Sequence, residues 1–322
     1  MRLLDAISHV SRAVTDDDLF GRDDPRRRYR ELAAALHPDR TTAAAEPVRR
    51  AATAAFVTLT GRWRERDRPT IHGYVLGPRA HTGDIADLYD VGADRLLKLT
   101  RDPANNDLAA REQVALRRIE RDGDPRYLPY VPRLVDTFRH RDDTGAERRV
   151  SVLATVPGLH SLTEVRRRRP GGLDPRDAAW MWRRLLVALG LAHRAGVVHG
   201  AVLPDHVLVQ PADHGVVLVG WGASVADPGD VVPVLVPGYQ DWYPAEVGRR
   251  QPPGPGTDIA MAARCMSTLM GTGAPPALRA FATGCAAPRL DQRPDDAWRL
   301  LGELDELLDR LYGPRTFRPF QL

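Results

Sequence analysis

The chain has 322 residues, 43% of them apolar, with a net charge of +4 and a pI near 9.3. That is enough apolar material for one large domain or two smaller ones, and no apolar run approaches the roughly 18 residues of a membrane-spanning helix. The N-terminus, Met1-Arg2-Leu3-Leu4-Asp5, lacks the apolar core of a signal peptide. Cys265 and Cys285 sit in apolar, helix-like stretches, so a cytoplasmic protein with reduced thiols is expected. The basic runs Arg26–Arg28 and Arg166–Arg169 lack interleaved aromatic or groove-reading elements. The second abuts Pro170-Gly171-Gly172 and reads as a solvated loop, so nucleic acid is not an expected partner.

Residues 1 to about 66 carry almost no strand pattern. Pro25 followed by Arg26–Leu36 predicts a helix with proline in its first turn, and Tyr29, Leu32 and Leu36 share one face. The helix is predicted to stop at His37-Pro38-Asp39, because a residue before proline is pushed out of the α region. A second helix is predicted from about Ala45 to Trp63, with Val48, Ala52, Phe56 and Leu59 on one face.

A basic helix, a His-Pro-Asp loop and a second helix resemble the J-domain of DnaJ-type co-chaperones. The likeness rests on Tyr29-Arg30-Glu31-Leu32, on Leu36-His37-Pro38-Asp39-Arg40 and on the Phe56–Leu59 stretch. One departure is Asp18-Leu19-Phe20-Gly21, a shortened form of the family's opening segment. The resemblance implies that His37, Pro38 and Asp39, with basic Arg26, Arg27 and Arg30, engage a DnaK-type chaperone and stimulate its ATPase.

A charged stretch from Glu65 to Thr70, broken by Pro69, suits a linker. Strands are predicted over Ile71–Leu76 and Ile85–Leu99. The second contains Lys98, the single lysine among 46 basic residues. A compact ammonium and a planar guanidinium are not interchangeable, so Lys98 marks a position that needs an ammonium. Fourteen residues on, Glu112 lies in the helical stretch Arg111–Leu116.

A strand lysine followed at this distance by a helix glutamate resembles the ion pair that orients ATP phosphates in protein kinases. Further segments resemble the family in the right order. Val150–Gly158 is similar to the last small-lobe strand and hinge. Val197–Val209 is similar to the catalytic loop, and Val216–Gly222 to the metal-binding strand and loop. Tyr243-Pro244-Ala245-Glu246, Thr257-Asp258-Ile259 and Asp291-Gln292-Arg293-Pro294 resemble the end of the activation segment, the helix after it and the late arginine loop. The likeness covers about residues 71 to 312 and implies a Glu246–Arg293 ion pair, an Asp258 that holds the catalytic-loop backbone, and His199 packed beneath that loop.

The reacting groups are missing. Phosphoryl transfer needs a carboxylate near the acceptor and metal ligands that bridge the phosphates. Against the family pattern, Ala201 replaces the catalytic aspartate, Leu203 the assisting lysine, His206 the metal-binding asparagine, and Gly220 the second metal-binding aspartate. In the phosphate-covering loop only Gly83 survives of three glycines, His81 and Ala86 replacing the others, and side chains there hinder close approach to phosphates. What remains for a nucleotide is Lys98, Glu112 and Gly83: a weak ATP site without dedicated magnesium ligands. Asp205 and Asp227 are the nearest acids that could stand in for them.

The expected architecture is α+β: a helical J-domain-like module at 1–66, a kinase-like small lobe and hinge at 67–160, and a large lobe at 161–322. The expected function is that of a catalytically impaired pseudokinase. It would bind a client or effector protein, under nucleotide regulation, and recruit a DnaK-type chaperone. The alternative is an ATP-dependent transferase, phosphoryl or nucleotidyl, with non-standard metal ligands.

Overall fold

A computed structural model describes all 322 residues. The chain divides into two compact units, Met1–Gly77 and Pro78–Leu322.

The first unit contains α1 (Leu3–Arg12), α2 (Asp16–Phe20), α3 (Pro25–Leu36), α4 (Glu46–Arg66) and a small hairpin of β1 (Thr70–Ile71) and β2 (Tyr74–Val75). Asp24 caps α3 by accepting a hydrogen bond from the Arg27 backbone N–H at 2.9 Å, with Pro25 at the first helical position. The helix ends where expected: His37, ahead of Pro38, swings to ψ 130°. α3 and α4 run antiparallel. Tyr29 near the start of α3 stacks on Trp63 near the end of α4 at 4.6 Å, and the His37 ring meets Phe56 edge-on. Leu19, Phe20, Leu32, Leu36 and Leu59 form the fully buried centre, each side chain contributing roughly 1.5–3 kcal/mol. The shortened opening segment Asp18–Gly21 supplies the last three residues of α2 and its C-terminal cap. Its N-terminus is closed by reciprocal hydrogen bonds between Thr15 and Asp18, and Arg62 of α4 ties it down through Asp16 and the Ala13 carbonyl.

The second unit opens with a five-stranded antiparallel sheet in the order β3-β4-β5-β7-β6. Its strands are β3 (Arg79–Thr82), β4 (Ala86–Asp90), β5 (Arg95–Thr100), β6 (Leu134–Arg141) and β7 (Glu147–Ala154). Between β5 and β6 lies α5 (Asn106–Asp122), which packs on β7. Then come β8 (His160–Ser161), α6 (Leu162–Arg168), α7 (Pro175–Arg194), β9 (Val207–Gln210), β10 (Gly215–Leu218), α8 (Ala245–Gly248), α9 (Pro255–Met270), α10 (Pro276–Cys285) and α11 (Ala297–Tyr312). β10, β9 and β8 form a small antiparallel sheet. α7 is the axis of the large lobe: Trp182, Leu185, Leu186 and Leu189 are fully buried among α9, α11 and β10.

Four details differ from the sequence reading. The strand expected over 85–99 is two strands, separated by a turn in which Gly92, Ala93 and Asp94 all take positive φ. The segment expected as a first small-lobe strand, 71–76, is the β1–β2 hairpin. It pairs only with itself and belongs to the first unit. β6 was not anticipated at all, and its residues are only partly covered or exposed. Arg166–Arg168 are not a loop but the last turn of α6, where positive charge complements the helix dipole. No helix is long and apolar enough to cross a membrane.

Candidate functional site

The candidate site is the cleft between the five-stranded sheet and the large lobe. Lys98, on β5, faces α5. Its Nζ donates to both Glu112 carboxylate oxygens at 2.7 and 2.8 Å, and Glu112 is almost fully buried. The neighbouring Gln113 fixes the helix by donating from Nε2 to the Val150 carbonyl and the Ser151 hydroxyl on β7. From its other side α5 is tied to the segment after β10: Arg118 donates to the Ala226 carbonyl at 2.7 Å, and Arg111 lies 3.5 Å from Asp230.

The loop from Val197 to His206 is held from below. Asp258, at the start of α9 and fully buried, accepts hydrogen bonds from the backbone N–H of His199 and Gly200 at 2.7 and 2.8 Å and from His193 Nε2 at 2.9 Å. His199 is buried with Nε2 donating to the Val219 carbonyl and Nδ1 accepting from the Ala201 N–H, an arrangement that requires the neutral ring. Burial lowers its pKa to about 4. The ring meets Trp221 edge-on at 4.5 Å. Glu246 and Arg293 form a two-pronged buried pair at 2.6 and 3.2 Å, completed by Thr257 on the acid and two carbonyls on the guanidinium. Burial pushes the Glu246 carboxyl up, but the bonds from Arg293 and Thr257 outweigh it and hold the group below its ordinary range.

At the chemical centre the cleft is closed by its own side chains. Ala201 and Leu203 are fully buried and apolar. His206 donates from Nδ1 to the Ala201 carbonyl at 2.8 Å and from Nε2 to Asp84 at 2.9 Å. Both ring nitrogens are thus engaged within the cleft. Asp84 sits at the tip of the β3–β4 turn beside Gly83. The His206 hydrogen bond, with the charges of His206, Lys98 and Arg101 behind it, holds its carboxyl below the usual range against the opposing effect of burial. Arg101 donates to the backbone carbonyls of Gly83, at 2.7 Å, and Asp84. Gly220 has φ +82°, and a Cβ there would lie 2.6 Å from the His206 ring. A Cβ on Gly222 would lie 3.6 Å from Ile85 Cδ1, so the Ile85 side chain sits near Gly222.

The two acids considered as substitute ligands do not join this centre. Asp205 accepts from the Tyr239 hydroxyl at 2.6 Å, and burial together with that bond pushes the phenol up to about 12. Asp227 is exposed in the segment after β10. No cluster of three or more His, Cys, Asp or Glu side chains able to hold a metal is present. Cys265 and Cys285 are buried and free, their thiols pushed up by burial.

In the first unit, His37, Pro38 and Asp39 form an exposed turn after α3, and Arg26, Arg27 and Arg30 on α3 are exposed too. His37 Nδ1 accepts from the Asp39 backbone N–H, and Arg40 returns to the Ala34 carbonyl.

The fold places Lys98 with Glu112, Glu246 with Arg293 and Asp258 under the loop, as the sequence suggested. It also brings together Asp84, Arg101, His206 and Gly220. Asp84 and Arg101 escaped sequence reading, since a turn acid and a strand-end arginine carry no motif. The available signal was a histidine in place of a small amide, His206, with an acid beside the one surviving loop glycine, Gly83.

No protein-family model matches the chain, and no curated protein matches it. Among solved structures it is similar to the kinase domain of PknI from Mycobacterium tuberculosis, a cysteine-to-alanine mutant, at 16% identity and TM-score 0.55, covering 74% of this chain and 96% of that one. The second unit therefore has a protein-kinase-like fold.

Proposed function

We propose that the protein is a catalytically impaired, kinase-like adaptor in the cytoplasm whose helical arm recruits a DnaK-type chaperone to a client or effector protein held by the kinase-like unit. The observation that carries this reading is the content of the cleft. Where phosphoryl transfer needs carboxylates on the acceptor and the metal, the chain has Ala201 and Gly220, and His206 is already engaged by Asp84. Everything that builds the lobe is intact: the Glu246–Arg293 pair, Asp258 under the loop and the Lys98–Glu112 bridge.

The arm presents an exposed His37-Pro38-Asp39 turn at the end of the helix that carries the exposed Arg26, Arg27 and Arg30. That pattern supports docking of an anionic surface on a chaperone. The test is the steady-state ATPase rate of a DnaK-type chaperone with the full chain added. Stimulation by wild type and none by His37→Gln is the expected result; equal stimulation by both removes the recruitment half of the reading.

One observation favours a second reading, an ATP-dependent transferase with rearranged ligands. Lys98 and Glu112 keep the geometry that orients phosphates. A weak, magnesium-independent ATP site on Lys98, Glu112 and Gly83 is compatible with either reading, and in the first it would serve regulation alone.

A further inference from the structure

Three contacts converge on the β3–β4 turn, and a missing side chain makes room for one of them. Asp84 bridges to His206 on the opposite side of the cleft at 2.9 Å. Arg101 grips the turn through the Gly83 and Asp84 carbonyls. Ile85 Cδ1 lies 3.6 Å from where a Cβ on Gly222 would stand. The absence of a side chain at Gly220 is what gives the His206 ring its space. The turn therefore does not arch over an open cavity; it is drawn down and fastened across the end of the cleft where Lys98 lies.

A carboxylate at that position does the electrostatic work of a phosphate. It is anionic, it accepts a charge-assisted bond from His206, and it lies in the field of Lys98 and Arg101. A nucleoside triphosphate entering the cleft would bring its own anionic groups to the same cations.

We propose that Asp84 and His206 form an internal latch that holds the phosphate end of the cleft shut, so that the Asp84 carboxylate and the phosphates of a nucleotide compete for one cationic floor. This rests on the reading of the cleft as non-catalytic and deepens it. The adaptor has a latched state and an open state, and nucleotide selects the open one. A ligand that needs a minor state binds more weakly in proportion to that state's population.

The latch is tested on the full chain in two ways. Calorimetry with ATP, with and without magnesium, compares wild type, Asp84→Ala and the double variant Asp84→Ala/Lys98→Met. If the open state is populated about one time in ten or less, Asp84→Ala binds at least about tenfold tighter than wild type, and adding Lys98→Met removes the gain. Hydrogen exchange without nucleotide then separates unlatching from mere loss of a negative charge. Both Asp84→Ala and His206→Ala, the second of which keeps the acid, are expected to speed amide exchange across 82–87. Equal ATP affinity in wild type and Asp84→Ala, including no binding by either, overturns the latch. So does exchange across 82–87 that His206→Ala leaves unchanged. Failure of the adaptor reading shows elsewhere, as transfer of label from ATP or as chaperone stimulation indifferent to His37, and leaves the exchange result standing.

Discussion

The imidazole of His206 occupies the space that any side chain at Gly220 would need: a Cβ built on Gly220 falls 2.6 Å from two of its ring carbons. The two departures from the kinase pattern are thus sterically linked. With no side chain at Gly220 the imidazole has room, and it reaches Asp84.

This coupling makes a double-mutant cycle informative. Gly220→Asp alone is expected to destabilise the second unit by roughly 1–3 kcal/mol, through overpacking against His206 and a side chain at positive φ. In the His206→Asn background the same change should cost less, with a coupling of about 1 kcal/mol or more. Urea denaturation of the four proteins measures it; additive losses would mean that the two residues do not compete for space.

Lys98 and Glu112 make a further prediction. Glu112 is 2% exposed and has Lys98 as its neutralising partner. Lys98→Met leaves a buried carboxylate unpaired and should cost about 3–5 kcal/mol, whereas Lys98→Met with Glu112→Leu should recover most of that loss. Chemical denaturation of the single and double variants checks it. The stability cost must be known before any loss of nucleotide binding in Lys98→Met is assigned to a lost contact.

The same logic applies deeper in the large lobe. Arg293 satisfies Glu246 with two nitrogens and two backbone carbonyls besides. Arg293→Ala should cost roughly 3–5 kcal/mol. Arg293→Lys should rescue little, since an ammonium cannot reproduce the planar fork. Thermal melting of both variants decides the point.

His199 predicts an acid-sensitive fold. Its folded pKa is lowered to about 4 from an ordinary value of 6.5. In between, the unfolded chain binds the extra proton and the folded chain does not, so stability falls as pH drops through 6.5 and the loss is complete below 4. The interval corresponds to about 3 kcal/mol. Protonation would also set an Nδ1–H against the Ala201 N–H that Nδ1 now accepts. Urea unfolding between pH 4 and 7 should show this slope in wild type and a shallower one in His199→Gln.

Much of this was legible in the sequence because it depended on spacing. Lys98 and Glu112, fourteen positions apart, meet because a strand and the following helix bring them together, and Glu246 meets Arg293 in the same ordered way. The His37-Pro38-Asp39 turn was legible because proline dictates the backbone before it. The Asp84–His206 bridge was not. It joins residues 122 positions apart through a turn whose conformation depends on Arg101, Ile85 and an empty Gly220, none of which announces its partner. The 85–99 stretch misled for a local reason: its apolar run continues through a turn that Gly92, Ala93 and Asp94 impose by backbone conformation.

The central claim is that the cleft performs no group transfer, and the most direct measurement is label transfer from ATP. The full chain is incubated with ATP labelled at the α or the γ position, with magnesium or manganese, and both the chain and a general protein acceptor are read for incorporated label. The account requires no incorporation above a no-protein blank with either label or metal. Incorporation by wild type that Lys98→Met abolishes would contradict it and make the protein a transferase.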